Sequence, residues 1–408
     1  MFTDVNDILG LGRMKNSSMP KKKTDLVVIQ PSSFCNIDCK YCYVPNRANR
    51  STIDLEILKD ILTKVFQSDR VADGFRLVWH NGEPLSLGLD FYQQAISIIN
   101  DVNKNNKHFE HCIQTNGTLI NQKWAEFFLN NNISPSVSID GPKHIHDANR
   151  VTKEGTGSFD SVIRGIRILK NNGIRLAGLC VITAKSLDYG DELLQFFLDE
   201  GFSSLGLIIE EPWGGNPDTS FTKLLHSTSL ELLELRFRSF ITSVFDAWLP
   251  YKDKIELREF NDIFTALKNI KLANSLFSQQ EDASPCRVLS FNQQGGITTF
   301  SPQMIAGTLE DPNRFVVANI RDIQSLDDLE MLAAHQLLAY EIEKGIEQCR
   351  DSCGYFQLCG GGAPASKFYE HGTFNCTETR ECRFFKKILT QIILDKMLDL
   401  KQTAQAVI

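Results

Sequence analysis

The sequence predicts an α/β fold: a partial (β/α)6 TIM barrel followed by a loop-rich, cysteine-bearing domain. Three observations predict it. Between about residues 25 and 212, short β-branched or apolar runs alternate six times with longer runs of helical spacing. The Gly-, Asn-, Asp- and Pro-containing motifs of that stretch fall at strand exits. Eight of the eleven cysteines form two groups, three near the start and five from Cys349 to Cys382.

The first strand is expected over 26–30. A helix over 55–68 follows, with Leu55, Ile57, Leu58, Ile61, Leu62, Val65 and Phe66 on a broad apolar face. The pattern then gives strand 75–80 with helix 91–102, and strand 111–115 with helix 122–130. Strand 136–139 leads to helix 159–172, strand 176–183 to helix 190–200, and a sixth strand spans 205–210. Six repeats imply a parallel sheet, which right-handed crossovers can curve into an incomplete barrel. In such folds, chemistry gathers where the strands end.

The chain divides into an N-terminal tail (1–24), the barrel (25–223), a mostly helical bridge (224–285) and the cysteine-rich domain (286–408). That last part carries Gly295-Gly296 and Gly360-Gly361-Gly362, then a helix over 384–400. Its small core implies that a metal orders it.

Composition narrows the function. The 408 residues contain no run of about eighteen apolar residues, so no membrane span is expected. The acidic N-terminus lacks a signal-peptide core, which points to the cytoplasm. A net charge of −7 gives no general attraction to nucleic acid or anionic membranes, and Lys21-Lys22-Lys23 reads as a solvated linker. Clustered cysteines without a secretion signal argue for metal rather than disulfides.

Cys35, Cys39 and Cys42 form C-x3-C-x2-C just after the first strand. A [4Fe–4S] cluster normally takes four cysteines, so three leave one iron open to a small molecule. The bland alternatives are a zinc site completed by another side chain and simple apolar burial.

The run Ile29-Gln-Pro-Ser-Ser-Phe-Cys-Asn-Ile-Asp-Cys-Lys-Tyr-Cys-Tyr-Val-Pro-Asn-Arg47 resembles the radical S-adenosylmethionine (AdoMet) superfamily. With His80-Asn-Gly-Glu-Pro84 and Thr377-Glu-Thr-Arg-Glu-Cys-Arg383, it is most similar to members with a C-terminal SPASM-type Fe–S domain. Within these it looks like the cyclophane-forming maturases of glycine-rich-repeat peptides. The resemblance implies a [4Fe–4S] cluster on Cys35, Cys39 and Cys42 whose open iron chelates AdoMet. It implies that Glu83 accepts from the AdoMet ammonium, with Asn81 departing from the family's glycine. Ser138 and Asp140 would bind ribose hydroxyls, Arg150 the AdoMet carboxylate, and Tyr41 would lie near adenine. Asn116 would orient cofactor or substrate. The plain alternatives are a turn asparagine for Asn116, a surface ion pair for Arg150 and loop packing for Tyr41.

The resemblance also implies an auxiliary [4Fe–4S] cluster on Cys349, Cys353, Cys359 and either Cys376 or Cys382; the Thr-Glu-Thr-x-x-Cys context favours Cys382. A structural zinc site is the alternative. A second auxiliary cluster looks incomplete. Cys286 matches its first ligand, but Phe300 or Ser301 and Ala363 stand where partners are expected. Sulfatase-maturating relatives use an aspartate base where Gln294 stands.

The function expected is a radical AdoMet enzyme that joins an aromatic ring to a β-carbon in a ribosomally made precursor peptide. Glu210 or Glu211 is the candidate proton acceptor. The alternatives are thioether formation, epimerisation or sulfatase-type oxidation, or a non-catalytic Fe–S scaffold. Flavodoxin or ferredoxin would donate electrons. With only 24 residues before the first strand, a separate protein, or an edge strand of the barrel, would recognise the leader.

Overall fold

The structure, a computed structural model, describes residues 23–273 and 281–406. The expected N-terminal tail lies outside these except for Lys23 and Thr24, as do residues 274–280 of the bridge. The α/β architecture is the expected one, built on a parallel sheet.

Six parallel strands form its centre: β1 (Thr24–Ile29), β2 (Val71–Trp79), β3 (Phe109–Thr115), β4 (Ile133–Ser138), β5 (Ala177–Ile182) and β6 (Ser204–Ile209). The helices between them are α1 (Leu55–Gln67), α2 (Leu89–Val102), α3 (Gln122–Asn130), α4 (Lys143–Asn149), α5 (Phe159–Asn171) and α6 (Gly190–Glu200). Helix α1 starts where Asp54 accepts hydrogen bonds from the amides of Glu56 and Ile57. It buries Leu58, Ile61, Leu62, Val65 and Phe66 against the sheet. Helix α6 ends at Gly201, whose φ of 80° suits the left-handed cap.

The sheet is wider than six strands. Its order is β10-β9-β8-β1-β2-β3-β4-β5-β6-β7. After α7 (Ser220–Leu225) and α8 (Leu230–Trp248), β7 (Glu256–Leu257) adds to one edge before α9 (Arg258–Ala273). On the other side β8 (Val288–Phe291) runs parallel to β1, with Val28 opposite Ser290, and β9 (Gly296–Thr298) and β10 (Ala318–Asn319) follow antiparallel. All four residues of β8 are buried, so a strand of the cysteine-rich region closes the core beside β1.

The rest of that region is helical: α10 (Ala333–Ser352), α11 (Phe356–Cys359), α12 (Pro364–His371), a π-helical segment (Cys382–Ile388) and α13 (Leu389–Ala406). Phe384 stacks on Phe237 of α8 with ring centroids 4.3 Å apart, which locks the π segment to the barrel side. A second, smaller core around Phe300, Phe315, Ile342, Ile346 and Phe374 lies under the cysteines. Among the described residues, no helix is long and apolar enough to cross a membrane.

Candidate active site at the strand ends

The loop after β1 carries the three cysteines and is tied down from two sides. The amide of Cys35 donates to the Arg47 carbonyl at 3.1 Å. Asp38 donates to Val151 at 2.7 Å and Lys40 to Asn149 at 2.9 Å, backbone to backbone. Cys35 and Cys39 are buried and Cys42 is half-buried. Burial pushes the Cys35 thiol up to about 11, with Glu83 and then Cys42 adding to the shift, and the Cys39 thiol up to about 12, where Arg150 opposes the shift and Cys42 and Cys35 add to it. The three sulfurs thus share one electrostatic environment. It suits iron, whose charge stabilises thiolates that burial disfavours. Among the described residues, no three Cys, His, Asp or Glu side chains converge at single-ion spacing. The ligands of a cubane bind separate irons and stand farther apart.

The turn after β2 closes against this loop. Gly82 has φ of 58°, and a Cβ there would fall 2.3 Å from the Phe34 carbonyl oxygen. The next amide, of Glu83, donates to that same oxygen at 2.7 Å. The Glu83 side chain is fully buried. Its Oε1 accepts from Thr115 Oγ1 at 2.6 Å and from the Leu85 amide at 3.0 Å; its Oε2 accepts from the Asn116 amide at 2.7 Å. Burial pushes this carboxyl up to about 7 against the pull of those three hydrogen bonds. A carboxylate has about four acceptor positions, so one on Oε2 is left for a ligand. Asn116 continues the chain of contacts. Its Nδ2 donates to Asn36 Oδ1 at 2.8 Å and lies 3.7 Å from Cys35 Sγ.

On the other side of the cysteine loop, Asp140 is fully buried beyond β4. Its Oδ1 accepts from Arg150 Nε and from the Val181 amide, each at 3.0 Å, and its Oδ2 accepts from the Tyr41 hydroxyl. The Arg150 guanidinium sits 5.4 Å from the Tyr41 ring centroid. Three of the Asp140 acceptor positions therefore serve protein donors, and the residue fixes Arg150 and Tyr41 against each other. Ser138 Oγ accepts from Gln114 Nε2 at 2.8 Å.

The two candidate bases differ. Glu210 is committed: its Oε2 accepts from the amide of Ser220 at 3.0 Å and from that residue's hydroxyl, which anchors the start of α7. Glu211 is buried; the Ser366 hydroxyl is near enough to lower its pKa but lies outside hydrogen-bonding geometry, so Oε2 is left without a formed hydrogen bond. Burial, then the nearby carboxylates of Glu381 and Glu370, hold it well above the usual carboxylate range.

In the cysteine-rich region, Cys349, Cys359 and Cys382 are buried and Cys353 is half-buried. Cys349 lies in the last turn of α10, Cys353 caps that helix, Cys359 ends α11 and Cys382 opens the π segment. Burial raises all four thiols. Cys359 adds to this at Cys349, Cys349 at Cys353, Cys353 at Cys359, and both Cys359 and Cys353 at Cys382. Cys376 is half-buried and is influenced, among the cysteines, by Cys349. Lys367 Nζ lies 3.4 Å from Cys349 Sγ, a contact the spacing of the cysteines did not disclose. Cys286 is fully buried in the main core with φ of 53°, and Phe300, Ser301 and Ala363 are buried too. Thr115 and Asn36 were also missed as parts of the site; a polar residue closing an apolar strand, and one inside the cysteine motif, were the available signals.

Comparison with known proteins agrees with this geometry. The Radical SAM superfamily model matches residues 29–197, the span from the end of β1 to α6. An uncharacterized protein of Synechocystis is 34% identical over 375 residues, covering 91% of each chain. The serine-type anaerobic sulfatase-maturating enzyme of Bacteroides thetaiotaomicron is 26% identical over 86% of this chain and 84% of its own. Native anSMEcpe with bound AdoMet and Cp18Cys peptide shares the fold with a TM-score of 0.73 at 21% identity, over 93% of this chain and 99% of that one. Enzymes of the matched superfamily use a [4Fe–4S] cluster and AdoMet, which the buried thiols beyond β1 and the acceptor left on Glu83 can hold. The chain is an enzyme of the radical SAM superfamily.

Proposed function

We propose that this enzyme modifies a ribosomally made precursor peptide, joining an aromatic ring to a β-carbon. The observation that carries the reading beyond the superfamily is Glu211: a buried carboxyl with an unpartnered oxygen, at the end of β6 and facing the acidic residues before the π segment. Cys35, Cys39 and Cys42 would hold the cluster, and Glu83 and Arg150 the ammonium and carboxylate of AdoMet. Asn116, Ser138 and Asp140 would orient that site, with Tyr41 against the adenine. When bound, the cluster and AdoMet supply a radical able to take hydrogen from an unactivated C–H bond. Cross-linking removes one hydrogen atom from the β-carbon, and one proton and one electron from the ring. Glu211 takes the proton. Cys349, Cys353, Cys359 and Cys382 would hold one auxiliary cluster, which would supply an acceptor for the electron. The enzyme would work in the cytoplasm, with flavodoxin or ferredoxin as donor.

Mass spectrometry of a co-expressed precursor tests the reading. A cross-linked product lacks two hydrogens and does not react with a hydrazine. The similarity to a sulfatase-maturating enzyme favours a second reading, oxidation of a side chain to an aldehyde. That product does react with a hydrazine. Gln294, an amide without basic character, weighs against it.

A further inference from the structure

A cavity of about 540 Å³ opens beside the cysteine loop. Its walls come from the exit of β1, the segment after Cys42, the turn after β2, the β8–β9 turn and the segment leading to β10. The size suits a small ligand or a few residues of a chain, within the usual range of about 300–1,000 Å³. The lining contains six asparagines and three glutamines, and no Asp, Glu, Lys, Arg or His.

Two of these amides make an unusual pair. Asn81 Nδ2 donates to Gln30 Oε1 at 2.6 Å. Both residues are at least nine-tenths buried, and the remaining atoms, Gln30 Nε2 and Asn81 Oδ1, have no partner. The pair therefore presents one donor and one acceptor side by side. If both amides were turned over, the pattern would again be one donor and one acceptor. That is the complement of one residue of an extended chain, whose N–H and C=O point to the same side, as they do in an antiparallel ladder. Gln293, also in the lining, contributes a third buried atom without a partner, its Oε1. Buried polar groups are rarely left unpaired, so three at one cavity point to a polar ligand.

We infer that this cavity binds an extended, uncharged stretch of polypeptide, with the Gln30–Asn81 pair bonding the N–H and C=O of one of its residues. The inference rests on the peptide-modifying reading above and adds where the chain lies and what it contains. A charged side chain would enter without a counter-charge in the lining, which burial penalises. The segment is therefore free of Asp, Glu, Lys and Arg around the residue to be modified.

Calorimetric titration of the cluster-loaded enzyme with AdoMet, under anaerobic conditions, tests this. The probes are acetyl-Gly-Asn-Gly-Phe-Gly-Asn-Gly-amide and the same peptide with both Asn replaced by Asp. We expect the uncharged peptide to bind about tenfold tighter or more. Gln30→Met weakens it about three- to tenfold. Gln293→Lys, a change in the half-buried turn that keeps the test open if Gln30→Met does not fold, shifts preference toward the Asp peptide. Equal binding of the two peptides, or binding unchanged by both variants, overturns the inference and leaves the peptide-modifying reading standing. If neither probe nor any co-expressed precursor binds, the peptide-modifying reading itself fails, and the inference with it.

Discussion

The Glu83 carboxylate accepts the Asn116 amide at 2.7 Å, and the same asparagine's Nδ2 reaches toward Cys35 Sγ at 3.7 Å. The ends of β2 and β3 are thereby coupled to the cysteine loop through one side chain. Asn116→Ala leaves Cys35 and Asn36 without that support. Loss of such orienting partners commonly costs 10–100-fold in metal affinity or activity, and we expect about that loss in iron retention after gel filtration. Full iron retention with wild-type 5′-deoxyadenosine production would show that Asn116 is only a turn residue.

Gly82 is irreplaceable on geometry alone. An added Cβ meets the Phe34 carbonyl at 2.3 Å and the Ser32 carbonyl at 2.8 Å, and φ is 58°. Gly82→Ala should destabilise the protein by roughly 1–3 kcal/mol in urea unfolding. Gly74 makes the control, because its φ of 81° is strained for other residues but its Cβ would meet nothing within 4 Å. Equal losses at the two positions would mean that the contact with the cysteine loop contributes nothing.

Asp140 and Arg150 form a buried ion pair at 3.0 Å, with side chains 0% and 7% exposed. Asp140→Asn strands a buried guanidinium and should cost roughly 3–5 kcal/mol. The double variant Asp140→Asn/Arg150→Met should recover part of that stability while leaving AdoMet binding weak. Stability unchanged in the single variant would contradict the pairing.

Glu211 makes stability pH-dependent with a defined sign. Its carboxyl is held well above the usual value of 4.5 in the folded state. The unfolded chain then releases this proton first. The contribution is fully present below that usual value and is lost as pH rises toward the raised one. Glu211→Gln should therefore flatten the decline in thermal stability on the alkaline side, and should slow cross-linking without lowering AdoMet cleavage. Melting curves from pH 4.5 to 9 follow the first effect. A wild-type slope in the variant would place Glu211 in contact with water or a cation.

Iron content decides the fourth auxiliary ligand. With two clusters, the reconstituted enzyme should carry about eight irons per chain. Cys382→Ala should reduce this to about four, and Cys376→Ala should leave it near eight. About twelve irons in the wild type would mean that Cys286 serves a third cluster after all.

Much of the barrel was legible because its signals were local. Helices α3 and α6 begin and end where the spacing put them. Strand β2 starts earlier than its alternation showed. Thr24 pairs with Val71 but Leu26 with Arg76, so an irregularity around Gly74 breaks the period of two. Strands β7 and β10, two residues each, and the three-residue β9 are too short to show any period. β8 was hidden for a different reason. Its Val-Leu-Ser-Phe run is buried on both faces, and it is a strand because it pairs with β9 and with β1, the latter more than 250 residues away. The cysteine spacings and the Glu83 motif were readable as sequence. That Asp140 would be engaged by Arg150, Tyr41 and Val181, and that Glu210 would anchor Ser220, depends on long-range packing that spacing does not encode.

The most direct measurement follows the hydrogen. A precursor peptide deuterated at the β-carbon to be cross-linked is incubated anaerobically with the loaded enzyme, AdoMet and reductant. Deuterium in 5′-deoxyadenosine, matched by an equal amount of cross-linked peptide lacking two hydrogens, is the result expected here. Cleavage of AdoMet that leaves 5′-deoxyadenosine free of deuterium and the peptide intact would contradict the central claim.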